Sequence, residues 1–434
     1  MTEQVTDIED VESFRLRARA WLAANMPRLA PGQPDSLEAM VQLGDAVWPR
    51  ARELQRMLYD GGFAGICYPR EYGGLGLTLA HQRAFNAECA GYEMPLVLNT
   101  PTFSICGPTI LDMGSEEQKR QHLPAVIRGD EILVQFLSEP RGGSDLAGAT
   151  TRATRDGDVF VLNGSKIWSS GAYAADWALC LTRTDWDAPK HRGLTMFLVK
   201  VHQPGIEIKR IKQVGGSTEF CQEFFDDVQV PASDVVGEVN GGWAVASRQL
   251  FHERNAVGGG SPYVSGFSRT RRGPGTGALI SGVQASGQSD DPRVRELVAE
   301  AHTISRVQQQ LIARVSTGMR TGALPPPAAA IMRLFSGESA TRLAEIGVEV
   351  MGSHAVVGEA PGGPGGAFGL VPPEASRAGE GVEYGVSFLM RQAGSLGGGS
   401  TEMARNVISE RVLGMPREYA ADRDVPFSQV RQGR

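Results

Sequence analysis

The period of the hydrophobic pattern changes twice along this chain of 434 residues, and this limits the fold more than any other feature. Up to about residue 130, apolar residues repeat every three or four positions, as in amphipathic helices. The first such run comprises Ile8, Val11, Phe14, Ala18 and Trp21. The order of periods predicts an α-helical domain over 1–130, a β domain over 131–238 and a second α-helical domain over 239–434.

The central part of the chain, from about 132 to 237, consists of short β-rich runs separated by turn residues. Two of these runs, 158–162 and 166–169, flank Asn163-Gly164, a dipeptide that favours a two-residue hairpin turn. The spacing and shortness of the runs predict an antiparallel barrel or sandwich.

Helical periodicity returns after Gly242 and is interrupted twice. Residues 258–290 are rich in Gly and Ser and poor in large apolar side chains, and 358–381 are rich in Gly and Pro. Such compositions cannot bury enough apolar surface to offset the entropy of ordering, so both stretches are predicted to be flexible insertions. A last helical segment is predicted at 406–413.

Charge and cysteine usage exclude several classes of protein. Lys and Arg number 43 against 49 Asp and Glu, so the net charge of −6 offers no basic field for nucleic acid. No apolar run reaches the length of a membrane span, and the polar start of the chain does not resemble a signal peptide. The five cysteines form no CxxC pair, and neither they nor the seven dispersed histidines suggest a metal site. We therefore expect a cytoplasmic protein.

Common catalytic and nucleotide-binding motifs are missing from the sequence. It contains no GxGxxG in a strand-to-helix context, no P-loop and no GxSxG elbow. A Rossmann dinucleotide site and a serine hydrolase of that type are accordingly disfavoured.

Three ordered motifs do point to a family. FLSEPRGGSD (136–145) and LNGSKIW (162–168) lie in the predicted β domain, and GGSTEMARN (398–406) is followed by RVLGMPRE (411–418) near the C-terminus. In this order they resemble the signatures of the acyl-CoA dehydrogenase family. The resemblance implies an α+β multidomain fold with an N-terminal all-α domain, a central antiparallel β-barrel or sandwich and a C-terminal four-helix bundle.

The resemblance also implies bound FAD, held between the β domain and the C-terminal helical domain. Backbone and hydroxyl groups of the first motif would contact the flavin and its phosphates. Trp168, which ends the second motif, and the next two residues, Ser169 and Ser170, would line the isoalloxazine. The implied cofactor-binding residues are Gln135, Leu137, Ser138, Gly143, Ser144, Trp168, Ser169, Ser170, Ser400 and Glu402.

The catalytic base is where the chain departs from the family pattern. The position that most often carries the base, just before the glycine of the closing motif, is Gly398. Isovaleryl- and long-chain-type members carry the base on an early helix of the C-terminal domain, before an arginine, and Glu253-Arg254 matches that arrangement. On the sequence alone, Glu253 is equally well explained as a solvated glutamate paired to a cation. The resemblance favours it as base, with the Gly398 N–H as a donor to the thioester oxyanion.

A second departure concerns quaternary structure. Family members have an Arg-x-x-Phe-Gly segment whose arginine reaches the FAD pyrophosphate of a neighbouring subunit. Here Arg271, Arg272 and Arg293 are candidate substitutes, but none precedes Phe-Gly. Two arrangements remain open: a modified homo-oligomer, or a heteromer with a second acyl-CoA dehydrogenase-like chain, as among actinobacterial sterol side-chain dehydrogenases.

The resemblance implies oxidation of an acyl-CoA to its trans-2-enoyl-CoA, with electrons passed to an electron-transfer flavoprotein. Glycine at 398 favours branched, long or polycyclic acyl groups, because it leaves more room than a glutamate. Two alternatives are a related flavin enzyme acting on a carrier-bound acyl group or a nitroalkane, and a non-catalytic scaffold subunit.

Overall fold

A computed structural model describes residues 8–30, 41–257, 260–267, 276–356, 382–420 and 422–430. These residues form two compact units. The first contains the described residues up to 211, from 218 to 267 and from 420 onward, and the second contains 212–217 and 276–419.

The first unit begins with helices, as the sequence predicts. They are α1 (Val11–Asn25), α2 (Val47–Asp60), α3 (Leu79–Glu88), the short α4 (Leu96–Leu98), α5 (Gly107–Met113) and α6 (Glu116–Arg128), with a π-helical segment at Asn99–Cys106. Capping residues set their starts: Asp10 accepts from two backbone N–H groups of α1, and Ser115 and Gln118 form a capping box at α6.

The central sheet has eight strands and is mainly antiparallel. They are β1 (Leu133–Phe136), β2 (Arg152–Asp156), β3 (Val159–Ser170), β4 (Trp177–Arg183), β5 (Leu194–Lys200), β6 (Ile206–Arg210), β7 (Phe220–Pro231) and β8 (Val235–Val236). The order is β6-β7-β3-β2-β4-β5-β8, and β1 pairs in parallel with β4. Helix α7 (Gly242–Val257) follows the sheet within the same unit.

The predicted hairpin at Asn163-Gly164 is wrong, because β3 runs through this dipeptide without turning. The turn lies earlier, between β2 and β3. At 163–164 the chain forms a β-bulge: the register against β7 shifts between Leu162 and Gly164, and Gly164 has a φ of +146°. The Asn163 side chain bridges the strands, donating to Asp227 Oδ1 (2.9 Å) and accepting from the Asp227 N–H (3.0 Å). Turn and bulge both need glycine, so the dipeptide alone does not distinguish them.

The second unit is helical. Its helices are α8 (Thr276–Ala285), α9 (Pro292–Arg320), α10 (Ala329–Met351), α11 (Ser353–Val356), α12 (Val382–Met390), α13 (Ala393–Leu396) and α14 (Thr401–Val407), and Ile408–Val412 is π-helical. The two long helices, α9 and α10, flank three consecutive prolines at 325–327.

The prediction of one flexible insertion over 258–290 is wrong for two parts of it. Helix α8 lies inside the stretch, because Leu279 and Val283, one turn apart, pack into a buried cluster with Leu297 and Ile346. Residues 260–267 are fastened to the Asn99–Cys106 segment by hydrogen bonds. Asn99 donates to the Gly266 carbonyl (3.0 Å) and accepts from the Ser265 N–H (2.7 Å). The second predicted insertion, 358–381, lies outside the described residues.

The bulge at Gly164 is expected to tolerate no side chain. A Cβ there would lie 2.7 Å from Thr151 Cα, in addition to the strain of its φ. Gly164→Ala should lower the free energy of unfolding, measured in urea by tryptophan fluorescence, by about 2–4 kcal/mol. Gly157→Ala is the matched control, because Gly157 also has a positive φ (+60°) but open space around it, and should cost about 1 kcal/mol. Equal losses in the two variants would contradict the role of the bulge.

Candidate active site

The first motif forms the turn that follows β1. Glu139 and Gly142 close it through two backbone hydrogen bonds of 3.2 and 2.9 Å. The Ser138 carbonyl accepts from the Ile167 N–H on β3 at 2.9 Å. The structure therefore brings the first and second motifs side by side, although they are about 25 residues apart in the chain.

A buried ion pair joins the same two motifs. Lys166 is fully buried on β3, and its Nζ donates to Glu139 Oε1 (2.8 Å) and to the Leu137 carbonyl (3.1 Å). Glu139 also accepts from the backbone N–H groups of Thr150 and Thr151. Burial opposes ionisation of Glu139, but the charge of Lys166 and these hydrogen bonds outweigh it and lower its pKa to about 2.

The end of β3 presents the aromatic residue of the second motif to solvent. Trp168 has a φ of +66° at a second register shift between β3 and β7, and 54% of it is exposed. Its ring meets Phe220 edge-on, with centroids 5.8 Å apart. Ser170 is half-buried, but Ser169 points inward and its hydroxyl donates to Glu223 Oε2 at 3.0 Å. Of the three residues predicted to line the isoalloxazine, Ser169 thus has its side chain in the interior.

Glu253, the proposed base, lies on α7 against β1. Gln135 Nε2 donates to Glu253 Oε2 at 3.2 Å. Burial raises the pKa of the Glu253 carboxyl, while the Gln135 hydrogen bond and the charge of Arg254 act against the rise. A carboxyl group with a raised pKa is a stronger base once ionised, so these surroundings suit proton abstraction.

The neighbours of Glu253 include residues that sequence reasoning missed. His252 Nε2 lies 2.7 Å from Asp112 Oδ2, which Arg248 also contacts. Burial lowers the pKa of His252, and the interaction with Asp112 opposes this change. The dispersed spacing of the histidines in the sequence contains no signal for this cluster, because Asp112 comes from α5.

A cleft of about 250 Å³ adjoins the first motif. Its walls include Arg141, Gly142 and Lys190, and the C-terminal segment 422–430 contributes Asp422 and Phe427. Lys190 Nζ lies 2.7 Å from Asp145 and 3.6 Å from Asp422. The sequence contains no recognisable signal for this packing of the C-terminal segment on the β domain.

Phe427 holds that segment in place. It is buried, and the guanidinium of the buried Arg183 lies 3.8 Å from its ring centroid. Arg183 also donates to the carbonyls of Ala147 and Lys190. These contacts tie the C-terminal segment to the chain on both sides of the cleft.

The closing motif belongs to the second unit. Gly398 and Gly399 have φ values of +70° and +89°. A glutamate at 398 would therefore have a strained backbone, and the sequence has glycine there instead. Ser400 caps α14 by accepting from the Met403 N–H (3.2 Å), and Glu402 is exposed in the first turn of that helix.

Of the three candidate arginines, Arg271 and Arg272 lie outside the described residues. Arg293 forms an ion pair with Glu349 (2.8 Å) in the second unit. Within the described ranges there is no group of three or more potential metal ligands. Nor do those ranges contain a helix of the length and apolarity needed to cross a membrane.

Comparison with known proteins identifies the family. The acyl-CoA dehydrogenase N-terminal, middle and C-terminal domains match residues 9–130, 135–228 and 240–413. The chain belongs to the acyl-CoA dehydrogenase family. Members of this family are oxidoreductases, and they are flavoproteins that generally use FAD.

Individual relatives cover nearly the whole chain. Acyl-CoA dehydrogenase IpdE1 of Mycobacterium tuberculosis is 32% identical over 95% of this chain and 99% of its own length. The Tcur3481-Tcur3483 steroid ACAD structure shares 28% identity and a TM-score of 0.73 over 95% of this chain and 100% of the matched one. The ChsE4-ChsE5 complex from M. tuberculosis shares 26% identity and a TM-score of 0.70 over 96% and 100%.

The ion pair between Glu139 and Lys166 is expected to be essential for the stability of this acyl-CoA dehydrogenase. Lys166→Met leaves a carboxylate buried without its cation and should cost about 3–5 kcal/mol in the free energy of unfolding, measured in urea. Adding Glu139→Gln should recover part of that loss, because neither residue of the pair then leaves a buried charge. Lys190→Met, which breaks an ion pair to the exposed Asp145, is the control and should cost about 0–1 kcal/mol. A control loss as large as that of Lys166→Met would contradict this prediction.

Proposed function

We propose that this chain is an FAD-dependent acyl-CoA dehydrogenase that converts an acyl-CoA to its trans-2-enoyl-CoA, with Glu253 as the base. The observation that carries the proposal is the contact between Glu253 and Gln135. It sets a half-buried glutamate with a carboxyl group of raised pKa against β1, the strand that leads into the first motif. A base in this family must face the same site as the flavin.

The residues of the two central motifs fit an FAD. We call the turn 137–145 together with Trp168 and Ser170 the flavin platform. A Cβ on Gly143 would lie 3.4 Å from the Ser138 hydroxyl, so glycine leaves that hydroxyl and the neighbouring backbone open to a ligand. Exposed Trp168 offers an aromatic face, and the serines offer hydroxyl donors to the polar edge of a flavin. Ser400 and Glu402 of the closing motif are further proposed contacts, as the family resemblance implies.

In the proposed reaction, Glu253 takes the proton from the α-carbon of the thioester. The chemistry that bound FAD supplies is acceptance at N5 of the hydride from the β-carbon. Removal of the α-proton places negative charge on the thioester carbonyl, and a backbone N–H such as that of Gly398 would stabilise it. This role needs no side chain, which is consistent with glycine at 398.

The proposed substrates carry branched, long or polycyclic acyl groups. Gly398 adds no side chain to the site, and one similar structure is described as a steroid ACAD. The proposed electron acceptor is an electron-transfer flavoprotein. A heteromer with a second acyl-CoA dehydrogenase-like chain is favoured by the similarity to the ChsE4-ChsE5 complex, and a homo-oligomer is the alternative.

The function is tested by anaerobic flavin bleaching with a panel of CoA thioesters. We expect the purified protein, with any co-purifying chain retained, to show a flavin spectrum that bleaches with at least one thioester of the proposed class. Glu253→Gln should keep FAD bound and reduce the bleaching rate at least about 10³-fold, because the base is lost. Glu238→Gln, an exposed carboxylate next to α7, is the control and should bleach at the unchanged rate.

Three outcomes would contradict parts of this proposal. Bound FAD that no CoA thioester bleaches would favour an enzyme for carrier-bound acyl groups or nitroalkanes. Failure to bind FAD, alone or with the partner, would favour a scaffold subunit. If the flavin of Glu253→Gln bleached at the wild-type rate on adding a CoA thioester, Glu253 would not be the base.

The hydrogen bond from Gln135 is expected to set the working pH of Glu253. This bond lowers the pKa of Glu253, so Gln135→Leu should raise that pKa and move the acid limb of the reduction rate to higher pH. Stopped-flow flavin reduction across pH measures the shift, and Gln229→Leu, at an exposed position on β7, is the control. An acid limb that moves to lower pH, or that does not move, would contradict the assignment.

A further inference from the structure

Glu223 is a buried carboxyl group that the proposed reaction does not use. It lies on β7, has no solvent exposure and pairs in register with Lys166 of β3. Its Oε2 accepts from the Ser169 hydroxyl at 3.0 Å. Its Oε1 is also buried and has no hydrogen-bond partner among the described residues. A carboxylate in this position would have half of its acceptor capacity unsatisfied.

The only cation facing Glu223 is already engaged, as far as the described residues show. Lys166 donates to Glu139 and to the Leu137 carbonyl, and it acts on Glu223 only through its charge. The other titratable groups around Glu223 are Cys180 on β4 and Cys221 on its own strand, and burial raises the pKa of both thiols. They are neutral at ordinary pH and offer no countercharge.

Glu223 is therefore a neutral acid under ordinary conditions. Burial raises its pKa to about 8, and the hydrogen bond from Ser169 and the charge of Lys166 oppose this rise only in part. A protonated carboxyl can remain in such a site at a modest cost, whereas an ionised one without a partner is strongly disfavoured.

Ser169, which donates a hydrogen bond to Glu223, is next in sequence to Trp168, the residue of the flavin platform with a strained backbone. Ser169 follows Trp168, whose φ of +66° is unusual for a residue with a bulky side chain. The bulge turns Trp168 outward while the Ser169 hydroxyl is fastened inward. Such a conformation costs free energy and requires the surroundings to hold it.

We propose that Glu223 is a positioning residue for the flavin platform: its protonated carboxyl anchors Ser169, and so holds Trp168 and Ser170 where they bind FAD. Loss of the proton does not break the bond from Ser169, but it places an unpaired negative charge behind this strand, which destabilises the platform and so weakens FAD binding. The inference rests on the proposed function, because it assumes that FAD binds to this platform.

The first test needs no cofactor. The pKa of Glu223 is higher in the folded than in the unfolded protein, so the folded state binds the extra proton between about pH 4.5 and 8, and stability falls as pH rises through that window. The Tm of wild-type apoprotein should fall between about pH 5.5 and 8.5 by about 5 °C more than that of Glu223→Gln, which carries no titrating group. Asp226→Asn removes an exposed carboxylate from the same strand and should behave like the wild type.

The second test measures FAD binding to the full-length apoprotein by quenching of flavin fluorescence. The wild-type Kd should increase above about pH 8, approaching tenfold per pH unit, which is the limit for one required proton. Glu223→Gln should bind FAD at pH 7 about as well as the wild type and lack this increase. Ser169→Ala should bind FAD more weakly at every pH, because the anchor is removed.

The outcomes separate this inference from the proposed function. Parallel pH profiles of Kd for the wild type and Glu223→Gln would overturn the positioning role and leave FAD binding intact. A wild-type protein that binds no FAD at any pH would overturn the proposed function and, with it, this role of Glu223. Parallel Tm profiles would show that Glu223 does not hold a proton, and would overturn the inference independently of any cofactor.

Discussion

The buried ion pair between Glu139 and Lys166 is the interaction on which the architecture of the site depends. Two charges removed from water are tolerated only when each is well paired, and here the carboxylate accepts from two backbone N–H groups while the ammonium also binds a carbonyl. The pair joins the turn after β1 to the middle of β3. Because the two motifs of the flavin platform lie on these segments, their relative position is set from the interior of the β domain.

Backbone strain and a buried carboxyl group both adjoin this platform. Trp168 has a left-handed backbone, and Glu223 is buried with one oxygen unpaired. Each feature costs stability, and each adjoins a surface proposed to bind a flat polar ligand. In the same unit, burial raises the pKa of Glu253 in spite of the hydrogen bond from Gln135, and a raised pKa suits a base. In the proposed function the three deviations serve one site: Trp168 would present a surface, Glu223 would anchor it and Glu253 would be the proton acceptor.

Glycine at 398 has no carboxylate, so the proposed proton acceptor comes from another part of the chain, helix α7. Residue 398 has a left-handed φ in this chain, so a residue with a carboxylate side chain would have a strained backbone at this position. A base on α7 lies instead within the same compact unit as the flavin platform. The proposed proton acceptor and the platform are then positioned by a single core.

The sequence by itself determined the order of helical and β regions and the family, because periodicity and motif order are local properties of the chain. Only the tertiary structure decided that Asn163-Gly164 is a bulge, that α8 lies within a Gly- and Ser-rich stretch, and that Ser169 points inward. These outcomes depend on partners distant in sequence: β7 pairs across the bulge, Leu297 and Ile346 cover α8, and Glu223 accepts from Ser169. The contact between Gln135 and Glu253, 118 residues apart, has the same origin. Local pattern carries no information about which distant group is close enough to pair.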